Sequence, residues 1–393
     1  MTGFSLSLSG CAKKVPHPSW FLKVASMGDH LGPQEIIKLP EGKSISFSQL
    51  MEDFRPSQVI FVGESHDQWE HHQAQVRILQ ALITEGKDVV VAMEMFQRSQ
   101  QPTLDRWRQG VLTEEQFSKE VLWETTWGTD YSFYKGILDL AREHHLKVLG
   151  LNVPKELSRK VARAGIDNLS PEDRNSLPEM DLKDRDHRRY IRSSYKQHRK
   201  GTAKGFEYFY QAQCLWDEAM AETIFDFLKS PEGEGKTILV LAGNGHIAFG
   251  FGIPRRLHRR IPLPYQTVLL KVWKKGMDED YFFSQTSRPL ADFLWITQPG
   301  PHEKKRPRIG IVLKEREDPK GVWIERVTPE SPAEKAGLLL GDQFVSIDGK
   351  EVQSLKDIHD AVVHRGSGKE ITMIILREGV RKEITVTLPP LND

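Results

Sequence analysis

Val59-Ile60-Phe61-Val62-Gly63-Glu64-Ser65-His66 decides how this chain is read. Four apolar, mostly β-branched residues make a buried strand, and a glycine then ends it. A carboxylate and an imidazole follow at once, and Gln68 to Glu85 has helical periodicity. Glu64 and His66 are therefore expected just past the carboxyl end of a strand, where open α/β sheets place their ligands. The construction recurs at Thr237-Ile238-Leu239-Val240-Leu241-Ala242, which runs into Gly243-Asn244-Gly245-His246. Two strands ending in Gly-x-x-His, far apart in sequence, can meet in one site.

Between them the chain alternates strand and helix. Asp88 to Glu94 reads as a second strand ending in a carboxylate, and Leu146 to Leu151 as a third ending at Asn152. Pro102 suits the first turn of a helix, and Thr113-Glu114-Glu115-Gln116 has the form of a capping box. Phe206 to Lys229 reads as one long helix, with Asp217 as a candidate second partner of a site histidine. Further strands are expected at Gln266 to Trp273 and Ala291 to Ile296. The alternation predicts an α/β domain with a mainly parallel sheet flanked by helices. His71, His72, His144 and His145 are expected to be structural rather than ligating.

The 393 residues carry a net charge of +1, which argues against nucleic acid as a main partner. No stretch approaches the length of apolar residues that spans a membrane as a helix. Two cysteines, Cys11 and Cys214, do not make a disulfide scaffold. Cys214 lies in an apolar helix. Cys11 follows Leu8-Ser9-Gly10, and Leu-Ser-Gly-Cys resembles a bacterial lipobox, whose cysteine is lipidated. Residues 1–11 are accordingly expected to be the end of a lipoprotein signal, whose apolar region would start upstream of Met1. That places the protein in the bacterial cell envelope, anchored by Cys11, on the outer membrane facing the periplasm. Residues 12–44, rich in Pro and Gly, read as a tether, 45–297 as the α/β domain, and 298–307 as a linker.

Residues 308–390 form a small β-rich module. Ser331-Pro332-Ala333, Ala336-Gly337-Leu338, Gly341-Asp342 and Ile347-Asp348-Gly349 resemble a PDZ domain of the periplasmic-protease type. The resemblance implies that Ile309-Gly310-Ile311 receives a peptide C-terminal carboxylate while the peptide adds as a strand to the sheet edge.

The larger domain resembles the ChaN family of haem-binding lipoproteins, within the Tiki and erythromycin-esterase-like superfamily. The residues that carry this are Gly63-Glu64-Ser65-His66, Ala92-Met93-Glu94-Met95-Phe96, Gln101-Pro102, Ala212 to Ala221, and Gly243-Asn244-Gly245-His246. The resemblance implies a haem-binding protein of haem and iron uptake. A haem needs an apolar slot, an axial ligand and cations for its propionates. Tyr208, Tyr210 and the motif histidines are the candidate ligands. Arg188 and Arg189, in the basic run Lys183–Lys204, are the candidate cations. The alternative is a metal-dependent hydrolase or protease. Glu64, His66, Glu94 and His246 could hold a divalent metal or serve as general base and acid, with Asn244 among the catalytic residues. A third possibility, a degenerate enzyme domain serving as scaffold for a PDZ adaptor, is disfavoured by the full set of site residues. A haem held between two copies would imply a homodimer.

Overall fold

The computed structural model describes residues 32–39, 41–198, 203–272, 288–298, 309–365 and 368–389. Cys11 and the signal expected around it lie outside these residues, as do Arg199 and Lys200 of the basic run and residues 299–307 of the expected linker. The chain divides into two compact units, Met1–Gly300 and Pro301–Asp393.

The first unit is built on an eight-stranded sheet. Its strands are β1 (Ile36–Lys38), β2 (Lys43–Ile45), β3 (Val59–Glu64), β4 (Val89–Gln97), β5 (Lys147–Asn152), β6 (Thr237–Gly243), β7 (Tyr265–Val272) and β8 (Phe293–Thr297). Their order across the sheet is β2-β1-β8-β7-β3-β6-β4-β5. From β8 to β5 every pair is parallel, and β1 and β2 add an antiparallel edge. Burial on both faces explains the continuous apolar runs. In β3, Ile60 and Val62 enter one core, under helices Trp69–Thr84 and Ser132–Glu143. Val59 and Phe61 enter the other, under Ala203–Lys229 and Ile253–Arg260.

The last part of the expected tether is a strand. Ile36 and Ile37 are buried, and β1 pairs with β8. The density of Pro and Gly around a strand of three residues concealed it. The capping box at Thr113 forms, with Thr113 accepting from Gln116 N–H at 3.2 Å. Pro102 occupies the first turn of Gln101–Arg108.

The position of β6 determines the site. The chain passes from β3 through a helix to β4 and β5, leaving a gap, and β6 later fills it between β3 and β4. Glu64 thereby lies beside Gly243, and Met93 beside Leu241. The carboxyl ends of β3, β6 and β4 become neighbours at the place where connections diverge, which is where such sheets open a crevice.

The second unit has strands β9 (Ile311–Glu317), β10 (Lys320–Val327), β11 (Gln343–Ile347), β12 (Lys350–Glu351), β13 (Glu370–Arg377) and β14 (Val380–Thr387). The order is β14-β13-β11-β10-β9, antiparallel throughout, with β12 on β11. Ser331 caps the short helix Pro332–Lys335. The strand β9 is an edge, and Glu315 on it accepts the backbone N–H of Leu355, at the start of helix Leu355–Arg365, at 2.9 Å.

Candidate functional site

Glu64 ends β3 fully buried, and a buried carboxylate requires hydrogen-bond donors. It has them. Its Oε1 accepts from the Tyr134 hydroxyl at 2.6 Å and from His66 Nδ1 at 2.8 Å, and its Oε2 accepts from Gln75 Nε2 at 2.7 Å. His72 Nδ1 stands 3.5 Å from Oε2. Burial alone would push the Glu64 carboxyl up. The bond from His66, the charges of His72 and His66, and the Tyr134 hydroxyl outweigh it and hold the carboxyl below its usual range. Burial opposes a charge on His66, yet Glu64 and Glu94 raise its pKa above the ordinary histidine value.

The second half of the site repeats this plan. His246 follows β6 on the short helix Asn244–Ile247. Its Nδ1 lies 2.7 Å from Asp217 Oδ1 on helix Ala203–Lys229, and its Nε2 lies 3.4 Å from Glu94 Oε1. Glu94 Oε2 accepts the Gly243 N–H at 2.7 Å. Asp217 is held from behind by Arg256 at 3.6 Å and His187 at 3.4 Å. Burial opposes the charge of His246, but Glu94 and Asp217 on either side raise its pKa to about 10. For Glu94 burial is outweighed by His246, then by His66 and the Gly243 N–H, which bring its carboxyl down to about 2.

Each imidazole also meets a tryptophan edge-on. Trp127 packs on His66 with ring centres 4.7 Å apart, and Trp216 on His246 at 6.1 Å. Two similar half-sites result, each a carboxylate, an imidazole and a tryptophan. In each, Nδ1 is engaged by the carboxylate, which orients the ring. The His66 ring lies over Gly243, where a side chain would put Cβ 3.0 Å from its Cε1. His66, Glu94, Trp127, Lys155, Trp216 and His246 all line one cleft of about 340 Å³. A larger groove, about 670 Å³, lies between helices Phe47–Phe54 and Trp69–Thr84 and contains none of these residues.

The expected residues divide into those the fold gathers and those it does not. His66, Glu94 and His246 face the cleft together. Glu64 stands behind His66, its oxygens taken by hydrogen bonds, so it does not join them as a metal ligand. Among the described residues no group of three His, Cys, Asp or Glu side chains has metal-binding geometry. Asn244 donates one of its two amide N–H groups to the Leu270 carbonyl at 3.0 Å, which ties the turn after β6 to β7 across the end of β3.

Tyr208 and Tyr210 lie outside the cleft. Tyr210 is fully buried and donates to the Asp184 carbonyl at 3.2 Å. Tyr208 lies under Lys204, 5.6 Å from ring centre to ammonium, and packs at Gly165. Arg188 pairs with Glu207 and covers the Tyr210 ring at 4.8 Å, and Arg189 points to Asp186 at 3.4 Å. These two cations are already answered by carboxylates.

His71 and His72 are buried. The phase of the helix accounts for it: His71, Gln75, Ile78 and Leu82 form one stripe against the sheet. His72 then braces Glu64. Tyr134, Trp127 and Trp216 belong to the site, and no motif in the sequence singles them out.

In the second unit, Ile309 and Gly310 accept from the N–H groups of Ala333 and Thr328 at 2.8 Å each, which pins the loop before β9. Gly310 has φ +85°, and a Cβ there would lie 2.2 Å from Ser331 Cβ. Only glycine fits that turn.

A haem fits the donor set of the cleft. Two imidazoles have Nδ1 anchored by carboxylates, His66 Nε2 would exchange its proton for an iron, and Trp127 and Trp216 stand in the lining.

Comparison with known proteins agrees. A family model described as haem-binding uptake, Tiki superfamily, ChaN matches residues 50–257, and a PDZ domain matches residues 307–388. The fold is similar to that of ChaN of Campylobacter jejuni, a protein solved for its cofacial heme binding. That likeness has a TM-score of 0.51 at 18% identity, covering 66% of this chain and 95% of that one. Curated relatives match over short stretches. A protein of Mesorhizobium japonicum named as a zinc metalloprotease is 46% identical over 67 residues, 17% of each chain. The serine protease Do-like HtrB of Bacillus subtilis is 39% identical over 70 residues, 18% of this chain and 15% of its own. The chain thus spans less than a fifth of the length of these two relatives.

Proposed function

The chain belongs to the ChaN family of haem-binding proteins in the Tiki superfamily, and on that premise we propose that its first unit binds haem in the cleft above β3, β6 and β4. One observation carries the reading: two imidazoles share the cleft, each with Nδ1 held by a buried carboxylate and its ring backed by tryptophan. His66 is the freer donor, with 39% of its side chain exposed against 11% for His246, whose Nε2 faces Glu94. Bound haem would supply an iron centre and its colour. The protein's own part is to orient the imidazoles and to keep water from the slot. The PDZ unit would take a peptide C-terminus along β9, at the loop Ile309-Gly310-Ile311. Lipidation at Cys11 would hold both units at the outer membrane, facing the periplasm, where the protein would serve haem and iron uptake, alone or as a homodimer.

The test is a haemin titration of the full chain read at the Soret band, with H66A and H246A beside the wild type. A saturable band lost in H66A supports the assignment. No saturable band in the wild type overturns it.

A second reading rests on Glu94. A carboxylate beside two oriented imidazoles steadies the charge an imidazole gains when it takes a proton, so the cleft would also serve a hydrolase. Ester or peptide cleavage that is lost in E94Q, without loss of the fold, would establish that activity.

A further inference from the structure

Among the described residues, the cleft contains one cation that no carboxylate answers. Lys155 is half-buried at its wall and donates to the Thr125 carbonyl at 3.2 Å. Among the described residues it forms no ion pair. The other charges of the cleft have partners: Glu94 takes the Gly243 N–H and faces His246, and the two histidines are held by Glu64 and Asp217.

The setting of Lys155 reinforces its charge. It is the first residue of helix Lys155–Ala164, whose N-terminus has no side-chain cap. A lysine there is opposed by the helix dipole, so its location lowers stability instead of raising it. Glu156, the acidic residue of that turn, is directed to Arg159 at 2.9 Å. A positive charge and a positive helix end therefore meet at a cleft that Trp127 and Trp216 line together with Met95 and Val153. By contrast, Arg188 and Arg189 are both paired with carboxylates.

The geometry points to Lys155 as the anion-recognising residue of the cleft, with a ligand that is a planar aromatic carrying free carboxylates. This deepens the haem reading and rests on it: Lys155 would take a propionate, whichever group ligates the iron.

The experiment separates anion recognition from iron ligation. The full chain is titrated with haemin, with metal-free protoporphyrin IX, and with its dimethyl ester, followed by porphyrin absorbance and tryptophan quenching. The expected result is that K155E weakens free-acid binding by about tenfold or more, and that K155R restores it. The wild type should likewise bind the diester about tenfold more weakly than the free acid. That second comparison does not depend on a variant folding. Equal binding of acid and diester, or K155E that binds the acid like the wild type, overturns the inference while haemin binding leaves the reading intact. Haemin binding without any binding of the metal-free acid overturns it too. A wild type that binds neither haemin nor porphyrin removes the reading and the inference together.

Discussion

Asp217 Oδ1 lies 2.7 Å from His246 Nδ1, joining the middle of the longest helix to the turn after β6. The other oxygen of Asp217 faces Arg256 and His187. One buried carboxylate therefore orients a cleft imidazole and shares with Glu218 the charge of a guanidinium that is itself buried. Replacing it with its isostere leaves buried Arg256 with Glu218 alone, 3.2 Å from its Nε, and His246 with Glu94 alone. D217N should lower stability by about 3–5 kcal/mol, as when one partner of a buried pair is removed. Urea unfolding measures it, and a loss below about 1 kcal/mol would contradict the role given to Asp217.

Stability should also depend on pH in a stated direction. The pKa of His246 is raised from 6.5 to about 10. Its contribution is then complete below pH 6.5 and disappears as pH rises through about 10. Glu94 is lowered from 4.5 to about 2, so its contribution is complete above pH 4.5 and is lost as pH falls toward about 2. The urea midpoint should decline between pH 7 and 10 in the wild type, and decline less in H246N. A wild-type midpoint level across that range would refute the pairing.

Tyr134 controls His66 from a distance. Its hydroxyl accepts from Trp127 Nε1 at 3.2 Å and donates to Glu64, which in turn holds His66. Y134F removes the hydroxyl and keeps the ring. We expect a stability loss of about 1–2 kcal/mol, and a haemin Soret band that is shifted or weakened because the imidazole loosens. An unchanged Soret titration would show that His66 keeps its orientation without this bond.

The PDZ unit has its own sensitive position. G310A forces a left-handed φ on alanine and a Cβ into Ser331. Peptide binding read by fluorescence polarisation should fall by about tenfold or more, since the loop before β9 must move. Haemin binding should stay as in the wild type.

Much of the fold could be read in the sequence because strand ends carried chemistry. The two Gly-x-x-His turns implied that β3 and β6 meet, and they are adjacent in register from Val59 with Ile238 to Glu64 with Gly243. What could not be read was which carboxylates face the cleft. Glu64 and Glu94 look alike at strand ends, yet Glu64 is surrounded by Tyr134, Gln75 and His72, all of them on helices packed over β3. Their approach is a matter of tertiary packing, which periodicity does not encode. The basic run was misleading for a related reason. Charge density in sequence says nothing of partners, and Glu207, which pairs with Arg188, comes from the next helix. Lys155, a single lysine after a proline, gave no signal at all.

The late arrival of β6 has a consequence during synthesis. A nascent chain that ends before residue 237 holds β3 and β4 but lacks the strand that lies between them. Their facing edges would then be unpaired and apolar, which is the condition for association with other chains. Glu64 could form its bonds to Gln75 and Tyr134 in such a fragment, whereas Glu94 would lack Gly243 and His246. The first half of the site belongs to the early chain and the second to the completed one, so ligand capture waits for the whole sheet.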